Sequence, residues 1–191
     1  QFKDFMLEEV VVTATKREEN IWDVPIAITA FTADAMEIAG IRDLVDIGKF
    51  VPNLNVTEFS AGQTSSVNAF IRGIGLQDHL ITTDPGVGVY IDGVYLGRQV
   101  GQNWSLANIE RVEVLRGPQG TLYGRNSIGG TINLITKKPG DEPGAQFNFE
   151  AGTRGRLNGD IYANGNLGED WAVSISGAYR ARDGIGEFLL I

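Results

Sequence analysis

The sequence predicts a small mixed α+β domain with short helices over residues 21–140, followed over residues 141–191 by antiparallel strands. Three observations predict it. Through the first 140 residues, short β-branched runs and narrow helical stripes interleave with glycine- and proline-rich breaks. Asp92-Gly93 lies between the β runs Val87–Ile91 and Val94–Leu96, and this residue pair favours a two-residue hairpin turn. After Gly140 the pattern changes to apolar/polar alternation of period two, sustained over three consecutive segments.

Each element follows from its own residues. Residues 1–20 are polar and charged around Glu8-Glu9-Val10-Val11-Val12-Thr13-Ala14. The β-branched run Val10–Thr13 prefers strand. It suits an ordinary N-terminal edge strand or an extended segment that adds to a partner's sheet edge. Pro25–Phe31 alternates weakly and reads as a strand. Thr32 or Asp34 caps a short helix through Met36–Ala39, and Gly40 stops it. Ile41, Leu44, Val45 and Gly48 form a narrow helical face. Val51-Pro52-Asn53 ends it, because proline lacks a donor and restricts the residue before it. Leu54–Thr57 and Ala69–Gly73 read as strands, with polar loops at 60–66 and 76–84. Ile109–Arg116 alternates apolar with charged and predicts a half-buried strand. Gly117–Gly130 is a glycine-punctuated loop, and Thr131–Thr136 is a further strand stopped by Lys137-Lys138-Pro139-Gly140.

The third stretch alternates on Ala145–Ala151, Ile161–Leu167 and Trp171–Ala181, with connections at 153–158 and 168–170. Strands of about 9 to 11 residues, apolar on one face and with aromatics at the rims, suit a transmembrane barrel. Trp171 and Tyr179 occupy the apolar face near the two ends of the last segment. An antiparallel meander on a soluble core shows the same alternation. Three strands cannot close a barrel, since bacterial single-chain barrels have at least eight. The membrane reading therefore makes the chain a fragment.

Composition removes other classes. The 191 residues carry 24 Asp+Glu against 16 Lys+Arg, a formal charge of −8, no Cys and one His. That excludes disulfide frameworks, thiolate metal sites and cysteine nucleophiles. An acidic balance argues against nucleic acid as a partner. No apolar run reaches the length of about 18 residues that a transmembrane helix needs. The loop at Gly117–Ser127 lacks the Gly-Lys-Ser/Thr of a P-loop, and Gly73-Ile74-Gly75 lacks the rest of a dinucleotide fingerprint. His79, beside Asp78, is one imidazole with loose carboxylates and reads as a solvated loop residue. No catalytic constellation is present, so no enzyme activity, cofactor or resident metal is expected. Arg72 and Arg116 each close an apolar run and precede glycine. They suit surface arginines or guanidinium forks aimed at carboxylates.

Taken together, Phe70-Ile71-Arg72-Gly73, Tyr90-Ile91-Asp92-Gly93-Val94, Ile109–Pro118, Gly120-Thr121-Leu122-Tyr123-Gly124 and Gly129–Lys137 resemble the plug domain of TonB-dependent outer-membrane receptors. The motifs stand in the family's order and spacing. The resemblance implies an α+β plug at 21–140 and the first three strands of a transmembrane β-barrel at 141–191, a fragment of the family's 22-stranded plugged barrel. It implies that Glu9, Val10, Val11, Val12, Thr13 and Ala14, within the N-terminal periplasmic segment 1–20, form the TonB box. It implies that Arg72 and Arg116 pair with barrel glutamates. Ser65, Ser66, Gln77, Asp78 and His79 would belong to loops that face the substrate. The expected function is TonB-dependent uptake of a scarce solute across the bacterial outer membrane. The family's commonest cargo is a ferric siderophore. The expected partners are TonB with its inner-membrane energising complex, outer-membrane lipid and a metal chelate. Solute binding would release a weakly anchored N-terminal box, and the proton gradient would drive plug movement through TonB. The alternative is a soluble exported β-rich binding module.

Overall fold

The computed structural model describes residues 10–58, 66–77, 83–97, 106–139, 143–168 and 171–183. The chain divides into two compact units, Gln1–Thr136 and Lys137–Ile191.

In the first unit, β1 (Val11–Val12) and β2 (Glu19–Asn20) form a two-stranded antiparallel ladder. β3 (Ile28–Thr32) leads into helix α1 (Ala33–Ala39) and then α2 (Leu44–Ile47). Thr32 is the N-cap of α1: its hydroxyl accepts the Ala35 N–H at 3.3 Å, and Gly40 closes the helix in the left-handed region at φ 69°. Asp43 caps α2 in the same way, accepting from the Asp46 N–H at 3.0 Å. β4 (Leu54–Glu58), β5 (Val67–Ile71) and β6 (Ile74–Gly75) make a three-stranded antiparallel sheet.

The sequence reading extends one strand through Arg72-Gly73. The structure makes these residues a two-residue turn instead, with φ 53° and 81° and with Ile71 paired to Ile74. Asp92-Gly93 turns likewise, at φ 48° and 80°, between β7 (Val87–Ile91) and β8 (Val94–Tyr95). Both turns need positive φ at their two central residues, which the Asp-Gly pair signals and Arg-Gly does not.

A 3₁₀ turn at Leu106–Asn108 precedes β9 (Ile109–Arg116), α3 (Gly120–Tyr123) and β10 (Gly130–Thr136). The central sheet runs β3-β9-β10-β7-β8, antiparallel except where β10 lies parallel to β7. On one face, Val112 and Val114 of β9 and Ile132 and Leu134 of β10 join a core with Leu44, Ile47, Val67 and Ile71. Pleating sends Glu113, Leu115, Thr131 and Asn133 to the opposite face. There Leu115 packs against Val12, Ala14 and Val24. This corrects the expectation of a half-buried β9: Val112, Glu113, Val114 and Leu115 are all fully buried. The alternation is real, but the N-terminal segment covers the face it assigns to solvent.

The second unit holds β11 (Gly144–Ala151), β12 (Leu157–Asn166) and β13 (Ala172–Ala181), antiparallel and in sequence order. Their lengths of 8, 10 and 10 residues suit a membrane-spanning strand of about 9 to 11 residues. Register places Phe147 opposite Ile161 and Ile161 opposite Gly177, so the apolar positions share one face. Phe147, Phe149, Ile161, Val173, Ile175 and Tyr179 are all exposed on it. The other face carries Gln146, Asn148, Asp160, Ser174 and Ser176. A meander on a soluble core would cover the apolar face, which here stands open. β12 begins at Leu157, earlier than its alternation suggests, because Leu157 pairs with both Ala151 and Ala181. Among the described residues no helix is long and apolar enough to cross a membrane.

Candidate functional site

The N-terminal segment lies against the second face of the central sheet. Val12 and Ala14 are fully buried, while Val11 is 42 % exposed. The Ile21 N–H donates to Val10 O at 3.0 Å, continuing the pairing of β1 with β2. A turn follows at once: the Lys16 N–H donates to Thr13 O at 2.8 Å, with Lys16 at φ 61°. The sequence reading expects a weakly anchored terminus. The described residues from Val10 onward are anchored by apolar burial and by two polar clamps.

The first clamp is Glu113. Its Oε1 accepts the Thr13 N–H at 2.7 Å and the Thr13 hydroxyl at 3.2 Å. The same oxygen receives Arg111 Nε at 2.9 Å, and Arg111 Nη2 donates to the Thr13 hydroxyl at 3.4 Å. Glu113 has no exposed side-chain surface. Its Oε2 has no hydrogen-bond partner among the described residues.

The second clamp is Tyr123, at the end of α3. Its hydroxyl donates to Ala14 O at 3.0 Å and accepts from Asn133 Nδ2 at 2.7 Å. The Tyr123 carbonyl accepts the Tyr90 hydroxyl at 2.8 Å, and the two rings meet edge-on at 5.0 Å. Lys16 Nζ stands 5.5 Å from the centre of the Tyr123 ring. Burial pushes the phenols of Tyr123 and Tyr90 above the ordinary tyrosine pKa, so both remain protonated donors at neutral pH. No sequence signal marks α3, because Gly120-Thr121-Leu122-Tyr123 is too short for periodicity and Gln119 supplies no side-chain cap. Glu113 was also missed as a site residue: a charge inside an alternating strand reads as a solvent-facing position.

A second cluster gathers Arg72 and Arg116. Gly117 is at φ 118°, and a Cβ built there would lie 3.5 Å from Arg72 Nη1. The Arg72 guanidinium thus sits over the glycine that follows Arg116. Arg116 Nη1 reaches Pro52 O at 3.5 Å, and its buried Nε has no hydrogen-bond partner among the described residues. An open groove beside them is lined by Asn53, Leu54, Asn55, Phe70, Arg72 and Gly73. Neither arginine has a carboxylate partner among the described residues.

The remaining sequence candidates scatter. Ser66 is fully buried beside β5, whereas Gln77 is exposed. Glu9, Ser65, Asp78 and His79 lie outside the described residues.

Fold and site together define a small α+β domain that holds an extended segment on its own sheet and precedes strands of membrane type. Residues 20–131 match the family model described as the TonB-dependent receptor plug domain, and the chain belongs to that family. It is 29 % identical over 181 residues to the vitamin B12 transporter BtuB of Vibrio vulnificus (strain CMCP6), spanning 93 % of this chain and 28 % of the transporter. Among solved structures it resembles the ferric yersiniabactin uptake receptor FyuA of Yersinia pestis, with 25 % identity and a TM-score of 0.65 over 81 % of this chain and 24 % of that one. It also resembles the pyoverdine outer membrane receptor FpvA of Pseudomonas aeruginosa PAO1, with 26 % identity and a TM-score of 0.71 over 91 % of this chain and 24 % of that one. These relatives are transporters and receptors. The chain spans 24–28 % of their lengths, and its second unit is part of a larger barrel.

Proposed function

We propose that this chain is the plug and first barrel strands of an outer-membrane transporter that takes up a scarce solute, foremost a ferric siderophore, using energy delivered by TonB. The observation that carries the reading is a plug-family domain followed by strands whose apolar face is exposed, as a lipid-facing barrel wall requires. Relatives named for ferric yersiniabactin, pyoverdine and vitamin B12 support a scarce solute of this kind.

The roles divide as follows. Glu9–Ala14 is the TonB-binding segment, with the plug and N-terminus toward the periplasm; its β-branched residues suit strand addition to a partner's sheet edge. Arg72 and Arg116 bind carboxylates of the barrel wall and seat the plug. The loops that contain Ser65, Ser66, Gln77, Asp78 and His79 meet the solute. Solute binding shifts the plug toward a state in which the N-terminal segment leaves its sheet and pairs with TonB. The bound strand then transmits a pull to the plug. No step breaks or forms a covalent bond. The exposed apolar face of β11–β13 weighs against a soluble binding module.

Uptake of radioactive iron from a panel of ferric siderophores, by cells with and without the receptor gene, tests the reading. Accumulation of one chelate should need both the receptor and TonB. Accumulation that persists without TonB would overturn it.

A further inference from the structure

We infer that Glu113 is the latch that holds the N-terminal segment on the plug and so sets how readily that segment becomes available. The consequence for TonB rests on the function proposed above; the latch itself rests on geometry alone. Glu113 stands near the middle of β9, a hundred positions along the chain from Thr13, and one of its oxygens gathers the Thr13 amide and hydroxyl. Arg111 fixes that oxygen at 2.9 Å and reaches the same hydroxyl. A charged acceptor fixed from behind by a guanidinium holds a backbone N–H more firmly than a neutral group does. A carboxylate at this place has no evident purpose for the sheet itself. Its neighbours Val112, Val114 and Leu115 are apolar core, and an apolar residue would pack the position at lower desolvation cost. Its hydrogen bonds go instead to the segment and to Arg111.

The other oxygen, Oε2, makes the latch releasable. Among the described residues it has no hydrogen-bond partner, and it lies directly across the β9–β10 ladder from Asn133, whose Oδ1 also lacks one there. Departure of the segment hydrates these atoms. Hydration of these atoms on departure offsets part of the loss of the latch contacts, so the segment is firmly held yet not irreversibly buried. Glu113 is a positioning residue: it acts on the segment, and through it on whatever the segment meets.

Hydrogen exchange in the full-length receptor in detergent micelles, read by mass spectrometry, tests the latch. Glu113→Gln should speed exchange across residues 10–16 roughly five- to tenfold, the loss expected when a charged acceptor becomes neutral. Exchange in 111–116 and 130–136 should stay unchanged. Unchanged exchange in 10–16 overturns the inference. If Glu113→Gln loosens the sheet as well, Thr13→Pro decides, because it removes both the amide and the hydroxyl that Glu113 accepts and alters no residue of β9 or β10. Faster exchange of residues 10–12 then upholds the latch, and unchanged exchange overturns it. The isolated C-terminal domain of TonB supplies a readout that structural damage would not improve: Glu113→Gln should bind it more tightly without solute. Faster exchange without tighter binding upholds the latch and overturns the assignment of the segment to TonB.

Discussion

Replacing Val12 by alanine tests how firmly the N-terminal segment is stored. Val12 is fully buried against Ala14, Val24 and Leu115. The substitution removes two buried methyl groups, each worth about 0.8 kcal/mol of transfer free energy. The small void left over Leu115 raises the loss to about 2 kcal/mol, because a packed interior relaxes only in part. That is roughly a thirtyfold increase in the population of the detached segment. Val11 is the internal control: it is 42 % exposed on the outer side of the same strand, so Val11→Ala should change the equilibrium by less than about 0.5 kcal/mol. Amide exchange of residues 10–16, measured for both variants in the full-length receptor, reads the difference directly. A large effect at Val12 with a small one at Val11 is expected. Equal effects, or none at Val12, would refute the burial argument and restore a loosely tethered terminus.

Other perturbations address different parts of the site. Tyr123→Phe keeps the ring against Tyr90 but deletes the hydroxyl that bonds Ala14 O and Asn133; it should weaken segment retention by about 0.5–1.5 kcal/mol in the same exchange measurement. Gly130→Ala would drive a Cβ into the Leu115 carbonyl and within 2.9 Å of Ile71 Cδ1, at a backbone φ of 148°. It should cost about 2–5 kcal/mol, visible as protease sensitivity of the plug. Arg72→Ala removes the guanidinium group over Gly117 and should loosen the seating of the plug. Passive leakage of small solutes through receptor-containing liposomes should rise, and unchanged leakage would sink the proposed carboxylate contacts.

Much of this fold was legible because local chemistry and tertiary context agree. Asp92-Gly93 signals its hairpin by residue type alone, and Asp92 is tied into place by Thr136, whose N–H and hydroxyl bond its carboxylate at 2.9 and 2.8 Å. The alternation of β11–β13 survives intact because one chemical environment lies along each face. Arg72-Gly73 escaped because its turn is imposed by the pairing of Ile71 with Ile74, not by turn-forming residues. The site was legible in part for the same reason. The β-branched run at Val10–Thr13 is visible in the sequence, whereas its anchor is not. The contacts of Glu113 with Thr13 and of Tyr123 with Ala14 link distant positions, and only the folded sheet brings them together. Glu113 in particular defeats pattern reading, since burial follows from what covers the strand rather than from the strand's own alternation.

The proposed role of Val10–Ala14, a strand stored on the plug for TonB, is open to direct test. The chain contains no cysteine, so Val11→Cys would place a single thiol among these 191 residues, at a partly exposed position of the segment. Disulfide trapping of that thiol in outer membranes, against TonB carrying single cysteines along its C-terminal sheet edge, is the most direct measurement. A cross-link is expected that strengthens when the transported solute is added and is lost in Val12→Pro. Equal trapping with and without solute in both variants, or none in any, would contradict it.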